Sequence, residues 1–141
     1  MLVPAKTKYR KSHKGGKKIL GTAPTGNSLK FGSFGLKALE PAKLNSRQIE
    51  SARKVVSRYM KKSGKLWIMV FPHTPVTKKP AEVRMGSGKG NVEYYIAKIK
   101  PGRIIFEIDG IDPESAEIAL SKAAAKLPFK TKIIDVDLTR I

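Results

Sequence analysis

The first thirty residues limit what this chain can fold into, because they contain few large apolar side chains. They are rich in Lys, Gly, Ser and Thr, and a segment of that composition cannot bury enough surface to offset the entropy of ordering it. The chain has 141 residues, which is long enough to bury one hydrophobic core. We therefore predict a basic extension over residues 1–30 and a single folded domain over residues 31–141.

Positive charge is concentrated in the first two thirds of the chain. Residues 1–92 carry 21 basic and 3 acidic side chains, whereas residues 93–141 carry 8 of each. A charge that served solubility alone should be spread evenly, so the asymmetry favours a surface that binds a polyanion, with nucleic acid as the leading candidate. A membrane is the competing polyanion, but the longest apolar run, Leu66–Phe71, suits a buried strand. We expect no membrane partner.

The extension has the composition of an RNA-binding tail. Its cations have no acidic neighbour, and two ring side chains are interleaved with them. Cations neutralise phosphates and release counterions, while rings can stack on unpaired bases. The residues of this segment that we predict to bind RNA are Lys6, Lys8, Tyr9, Arg10, Lys11, His13, Lys14, Lys17 and Lys18. The alternative is a solvated tail that serves solubility.

The sequence contains no recognisable catalytic or metal-binding constellation. It has no cysteine, and its two histidines, His13 and His73, cannot alone form a zinc centre. No nucleophile or carboxylate signature accompanies His73, and each acid after residue 92 has a plausible role at a cap, a turn or a strand face. We therefore expect a protein that is not an enzyme and that uses no cofactor, no metal and no small-molecule substrate.

Hydrophobic patterns divide the domain into strands and helices. Helices are predicted from Asn45 to about Lys62 and from Asp112, where Pro113 occupies the first helical position. Strands are predicted within 29–40, 65–71, 92–99, 103–108 and 131–138. We expect 65–71 to be a central strand, and the Pro101-Gly102 turn to join 92–99 to 103–108 as a hairpin. This order of elements predicts an α+β fold.

The helix predicted from Asn45 has an apolar side and a cationic side. Asn45 and Gln48 match a capping box at its start, and Gly64 ends it. Its apolar stripe is Ile49, Ala52, Val56, Tyr59 and Met60. The other side carries Arg47, Arg53, Lys54, Arg58, Lys61 and Lys62, with Glu50 as the only acid. We predict that this side contacts RNA, the alternative being a solvated charged face.

Two further packing expectations rest on apolar side chains. Trp67, in the predicted central strand, is expected in the core and not at a cofactor site. The second helix carries small residues, among them Ala116, Ala119 and Ala123, on one face. We expect that face to pack closely on a sheet.

The stretch Pro80–Gly90, PAEVRMGSGKG, is the most distinctive motif. Three glycines at alternate positions present bare backbone, and Arg84 and Lys89 supply positive charge. It is not a nucleoside-triphosphate loop, because Gly90 stands where that motif needs a hydroxyl side chain. We predict a projecting loop over residues 72–91 that approaches phosphates or RNA, with Lys78 and Lys79 as further RNA contacts. The alternative is a mobile hairpin tip.

Several stretches that together span nearly the whole chain resemble one protein family. They are MLVPAKTKYRKSHKG, FGSFGLKALE, SRQIESAR, GKLWIMVFP and KKPAEVRMGSGKGNVEYYIAKIKPGRIIFEIDG. They resemble the bacterial and organellar large-subunit ribosomal protein number sixteen, a family whose archaeal and eukaryotic counterpart is numbered ten.

The resemblance implies a two-layer α+β domain with a mainly antiparallel sheet and two helices. It implies a structural constituent of the large ribosomal subunit that binds large-subunit rRNA and neighbouring ribosomal proteins, and that supports subunit assembly. It also implies a place near aminoacyl-site tRNA and the peptidyl-transferase centre, where the protein supports tRNA accommodation. The tRNA-proximal loop would be Arg84, Met85, Gly86, Ser87, Gly88, Lys89 and Gly90.

Such a protein is expected on a ribosome in the bacterial cytoplasm, the plastid stroma or the mitochondrial matrix. A free-standing RNA-binding translational regulator is the alternative function, because it would share the charge pattern and bind outside the ribosome.

Overall fold

The computed structural model describes residues 2–5, 21–60, 64–78 and 91–136, and within these ranges the chain forms seven strands and two helices. In chain order they are β1 (Phe34–Ala38), β2 (Ala42–Asn45), α1 (Ser46–Met60), β3 (Lys65–Ile68), β4 (Thr74–Lys78), β5 (Asn91–Ile99), β6 (Ile104–Asp109), α2 (Pro113–Ala124) and β7 (Thr131–Asp135). The predicted α+β class is confirmed.

The strands form two antiparallel sheets. The first sheet has the order β3-β6-β1-β7, and the second has the order β2-β5-β4. Residues 104–108 of β6 are all buried, as expected for an interior strand of a covered sheet. The prediction of a central strand over residues 65–71 is wrong. Only Lys65–Ile68 are a strand, β3, and they lie at the edge of the first sheet.

The turn at residues 100–102 forms as predicted, but the strands on its two sides do not pair. β5 belongs to the second sheet and β6 to the first, so the predicted hairpin is wrong. Gly102 adopts φ +95°, which favours glycine, and its N–H donates to the Ala38 carbonyl at 2.7 Å. The turn therefore carries the chain from one sheet to the other, and the apolar residues of β6 pair with β1 and β3 instead.

Helix α1 begins with the predicted capping box. The Asn45 side chain accepts the Gln48 N–H at 2.9 Å, and the Gln48 side chain accepts the Asn45 N–H at 3.0 Å. The predicted apolar stripe is buried except at Tyr59, which is 41% exposed and lies outside the core. Ala52, Val56 and Met60 follow one another at intervals of four residues and form the buried row, so position 59 falls at its margin.

Helix α2 is capped by Asp112, whose carboxylate accepts the Ser115 N–H at 3.2 Å. Its buried face consists of Ala116, Ala119, Leu120 and Ala123. We expected this face to pack on a sheet, but its main contact is with α1, and it touches β1 and β7 in addition. Small side chains let the two helices pack against each other, with α2 over the first sheet and α1 against strands of both sheets.

Two of the strands were not predicted. β2 is only four residues long and directly follows Pro41. β4 contains Pro75 and lies at the edge of the second sheet, where a residue without an N–H is tolerated. Residues 74–78 of the predicted loop 72–91 are therefore a strand. The predicted C-terminal strand is present as β7, which ends at Asp135.

Candidate nucleic-acid interface

Most of the residues that we predicted to contact RNA lie outside the described ranges. These are Lys6, Lys8, Tyr9, Arg10, Lys11, His13, Lys14, Lys17, Lys18, Lys61, Lys62, Lys79, Arg84, Met85, Gly86, Ser87, Gly88, Lys89 and Gly90. Lys78 ends β4, where its backbone alone is described. The structure therefore locates the side chains of Arg47, Arg53, Lys54 and Arg58, all on α1.

These four α1 cations differ in their availability for an anionic partner. Arg47, Lys54 and Arg58 are exposed. Arg53 is half-buried and holds Glu50 in an i,i+3 ion pair, with its Nε donating to the carboxylate at 3.0 Å. This hydrogen bond lowers the pKa of Glu50 and raises the pKa of Arg53. Three free cations and one neutralised cation therefore make up the described part of the predicted RNA-binding face.

The end of the predicted extension is fastened to the first sheet by Glu107, a residue to which the sequence pattern gave no such role. Glu107 is fully buried in β6, and its Oε1 atom accepts the N–H groups of Lys30, Phe31 and Gly32 at 2.9, 2.9 and 3.0 Å. A side chain at position 32 would lie 2.6 Å from the Ile108 carbonyl oxygen, so glycine permits this close approach. An acid inside an apolar strand was the signal that could have revealed it.

A second contact fastens the same segment. The Arg103 guanidinium donates to the carbonyls of Met69 at 2.9 Å and Thr25 at 3.3 Å, and the Ile104 N–H donates to the Gly26 carbonyl at 2.8 Å. Residues 23–32 therefore lie against the domain.

Trp67 is not in the core, contrary to our expectation. It is half-buried and stacks on Phe31, with ring centroids 5.9 Å apart, and Phe31 is 58% exposed. Alternation along β3 explains the error, because Leu66 and Ile68 face the helices and position 67 points to the opposite side of the sheet. Two exposed cations are close to this pair in the sequence: Lys30 directly precedes Phe31, and Lys65 lies two residues before Trp67.

His73 lies at a cavity of about 500 Å³ between the ends of the two sheets. Its Nδ1 atom is 3.1 Å from the Phe71 carbonyl, and no carboxylate of the described residues lines the cavity. Acid–base chemistry at His73 thus has no partner in the described part of the chain. Across the same ranges, no group of three His, Cys, Asp or Glu residues could hold a metal ion, and neither helix is long and apolar enough to cross a membrane.

Comparison with known proteins identifies the family. The model of the family "Ribosomal protein L16p/L10e" matches residues 4–134. Proteins called "Large ribosomal subunit protein uL16" from Gluconobacter oxydans, Gluconacetobacter diazotrophicus and Rhodospirillum rubrum are 60%, 58% and 58% identical to this chain over 134 residues. Each match covers 95% of this chain and 96% of the relative. The chain therefore belongs to the ribosomal protein L16p/L10e family, whose members are structural components of the ribosome and not enzymes.

Proposed function

We propose that the exposed cations of α1 anchor this protein to the phosphates of large-subunit rRNA. As a member of its family, the protein is a structural constituent of the large ribosomal subunit, where rRNA and other ribosomal proteins are its partners. The observation that carries the proposal is the exposure of Arg47, Lys54 and Arg58, none of which forms an ion pair with the described residues. Phosphate contacts of this kind determine where and in what orientation the protein lies on the RNA, and they do not read the base sequence.

The basic extension adds a second group of phosphate contacts through Lys6, Lys8, Arg10, Lys11, Lys14, Lys17 and Lys18. The attachment of residues 23–32 to the first sheet supports this assignment. A tail that starts from a fixed place on the domain can reach only a limited region of the subunit. It therefore contributes to orientation as well as to affinity.

The glycine-rich residues 84–90 support the aminoacyl-site tRNA near the peptidyl-transferase centre. They belong to the twelve residues, 79–90, that connect β4 to β5. Lys78 and Asn91 are paired across these strands, so the connection begins and ends at neighbouring positions at one end of the second sheet. Arg84 and Lys89 provide the cations for an RNA backbone, and the glycines leave the main chain accessible.

Sedimentation of ribosomes tests this function. Tagged protein should remain with the large subunit through a high-salt wash, whereas a free-standing translational regulator would stay in the light fractions. Ribosomes carrying Arg84→Ala and Lys89→Ala should assemble but bind aminoacyl-tRNA more weakly at the aminoacyl site. Normal binding of aminoacyl-tRNA in that variant would contradict the role given to the loop. It would not affect the role given to the cations of α1.

A further inference from the structure

One face of the second sheet carries two lysines directly opposite each other. Lys43 in β2 and Lys98 in β5 are register partners, and both are exposed. Side chains at directly opposed positions of an antiparallel pair lie close together, and like charges there destabilise the sheet. Neither lysine has a carboxylate partner among the residues that the structure describes. An anion placed between them would remove the repulsion.

An aromatic ring shares this face. Side chains alternate along β5, so Tyr94, Ile96 and Lys98 point to the same side of the sheet. Tyr94 is 42% exposed, while Ile96, between Tyr94 and Lys98, is 6% exposed. The face therefore combines an accessible ring and an apolar floor with two cations at one end.

These side chains line a cavity of about 170 Å³ together with Asn45 and Thr74. A cavity of roughly 150 Å³ holds one benzene ring, whereas cofactor and drug sites occupy about 300–1,000 Å³. The space therefore suits a single flat ring and is too small for a dinucleotide or a large cofactor. The Thr74 hydroxyl can donate to or accept from a nucleobase, and the Asn45 amide can add a donor, since its Oδ1 atom already accepts the Gln48 N–H.

We propose that this face binds one unstacked nucleotide of single-stranded RNA, with its base on Tyr94 and its flanking phosphates at Lys43 and Lys98. The inference rests on the proposed function, because it requires that the protein bind RNA. It adds a site to that function, since none of the three residues belongs to the predicted RNA-binding sets on the extension, α1 or the glycine-rich loop.

Binding of the full-length chain to a short labelled oligouridylate, roughly ten nucleotides long, and to a duplex of equal length tests the ring. Tyr94→Ala should weaken binding to the single strand about fivefold or more and leave duplex binding unchanged. Tyr94→Phe keeps the stacking surface and should bind like the wild type. The effect of Tyr94→Ala should persist at raised salt, because stacking releases no counterions.

The double variant Lys43→Gln, Lys98→Gln tests whether the two lysines contact phosphates. Loss of two phosphate contacts should lower the slope of log K against log salt by about 1.4, at roughly 0.7 per contact on a single strand. Lys122→Gln with Lys126→Gln is the matched control, because it removes the same charge from exposed positions in and after α2. An equal change in slope for the two pairs would overturn the site.

The remaining outcomes separate this inference from the proposed function. The nucleotide site is wrong if Tyr94→Ala binds the single strand as well as the wild type does. It is also wrong if Tyr94→Phe loses as much affinity for the single strand as Tyr94→Ala does. The proposed function is unaffected in both cases. If the wild type binds neither RNA, the proposed function itself fails. Should Tyr94→Ala not fold, crosslinking of wild-type protein to 4-thiouridine RNA gives the answer, and absence of β5 peptides from the crosslinks would reject the site.

Discussion

The Oε1 atom of Glu107, in the middle of β6, accepts a hydrogen bond of 3.0 Å from the backbone N–H of Gly32. The same atom accepts the two preceding N–H groups, so one carboxylate oxygen holds three consecutive residues against the first sheet. Three convergent N–H groups form a concave site for negative charge, and here the chain fills it with its own side chain. One oxygen of this fully buried carboxyl group is thus satisfied by three donors, whereas its Oε2 atom has no hydrogen-bond partner among the described residues.

Glu107→Ala should lower the free energy of unfolding by about 3 kcal/mol, because three N–H groups would each lose their acceptor at about 1 kcal/mol or more. Glu107→Gln should cost less, since a neutral amide oxygen still accepts hydrogen bonds. Urea denaturation measures both changes. Hydrogen exchange at the amides of residues 30–32 should accelerate in Glu107→Ala, and unchanged exchange there would show that Glu107 does not hold this segment.

Asn45→Ala should destabilise the protein by about 1 kcal/mol, because α1 loses the side-chain acceptor that caps the Gln48 N–H. Asn45→Ser retains an acceptor of similar capping preference and is the matched control. Thermal or urea unfolding followed by circular dichroism measures the difference. Equal destabilisation by serine and alanine would mean that capping is not the role of Asn45.

Stability should fall in acid partly through Asp109. The Ser33 hydroxyl donates to its carboxylate at 2.7 Å and the Gly110 N–H donates at 2.8 Å, which lowers the pKa of Asp109 below its ordinary value of 3.8. A carboxyl whose pKa is lower in the folded state adds stability above its unfolded pKa, and that stability is lost as pH falls through the folded value.

Ser33→Ala should therefore reduce the loss of stability below about pH 3.8, because the folded and unfolded pKa values of Asp109 move closer together. The measurement is the free energy of unfolding at neutral pH and at several acidic values. Ser57→Ala, at an exposed position of α1, is the control and should leave the pH dependence unchanged. A Ser33→Ala profile parallel to that of the wild type would contradict the assignment.

The triple variant Arg47→Gln, Lys54→Gln and Arg58→Gln should bind structured rRNA more weakly and with a smaller salt slope. Three lost contacts on duplex RNA correspond to a decrease of about 2.7, at roughly 0.9 per contact. As a single substitution, Arg53→Gln should have a smaller effect on affinity than a single substitution to Gln at any of the other three positions, because Glu50 already neutralises Arg53. Filter binding across a range of salt concentrations measures both quantities.

Lys122→Gln, Lys126→Gln and Lys130→Gln together form a charge-matched control for the α1 triple variant. All three positions are exposed and none lies on α1. The same decrease in salt slope for both triple variants would indicate that net charge alone governs binding, and the α1 face would lose its assigned role.

Elements whose ends are marked by local chemistry could be predicted from the sequence. The capping box at Asn45 and the Asp112-Pro113 start both fix helix boundaries through contacts within a few residues. Strand pairing could not be predicted in the same way. The turn at Gly102 was predicted correctly, but the strand predicted to pair with β6 was the wrong one. An apolar strand that is buried on both faces could pair equally well with several neighbours.

The same distinction between local and long-range contacts applies to the candidate site. The cations of α1 follow from helical periodicity, whereas the neutralisation of Arg53 depends on a rotamer that only the structure supplies. The opposition of Lys43 and Lys98 depends on the register between two strands more than fifty residues apart. The spacing of residues along the sequence does not show which residues of two distant strands face each other. In addition, β2 was not predicted to be a strand.

The turn that carries the chain between the sheets has a mechanical consequence. β5 begins where the glycine-rich connection ends, and four residues, 100–103, separate its last position from β6, in which residues 104–108 are all buried. The two strands thus connect the end of the second sheet at which the glycine-rich connection begins and ends to the interior of the first sheet. We expect a force applied at that end of the sheet to be transmitted to the whole domain and not to be absorbed at a hinge.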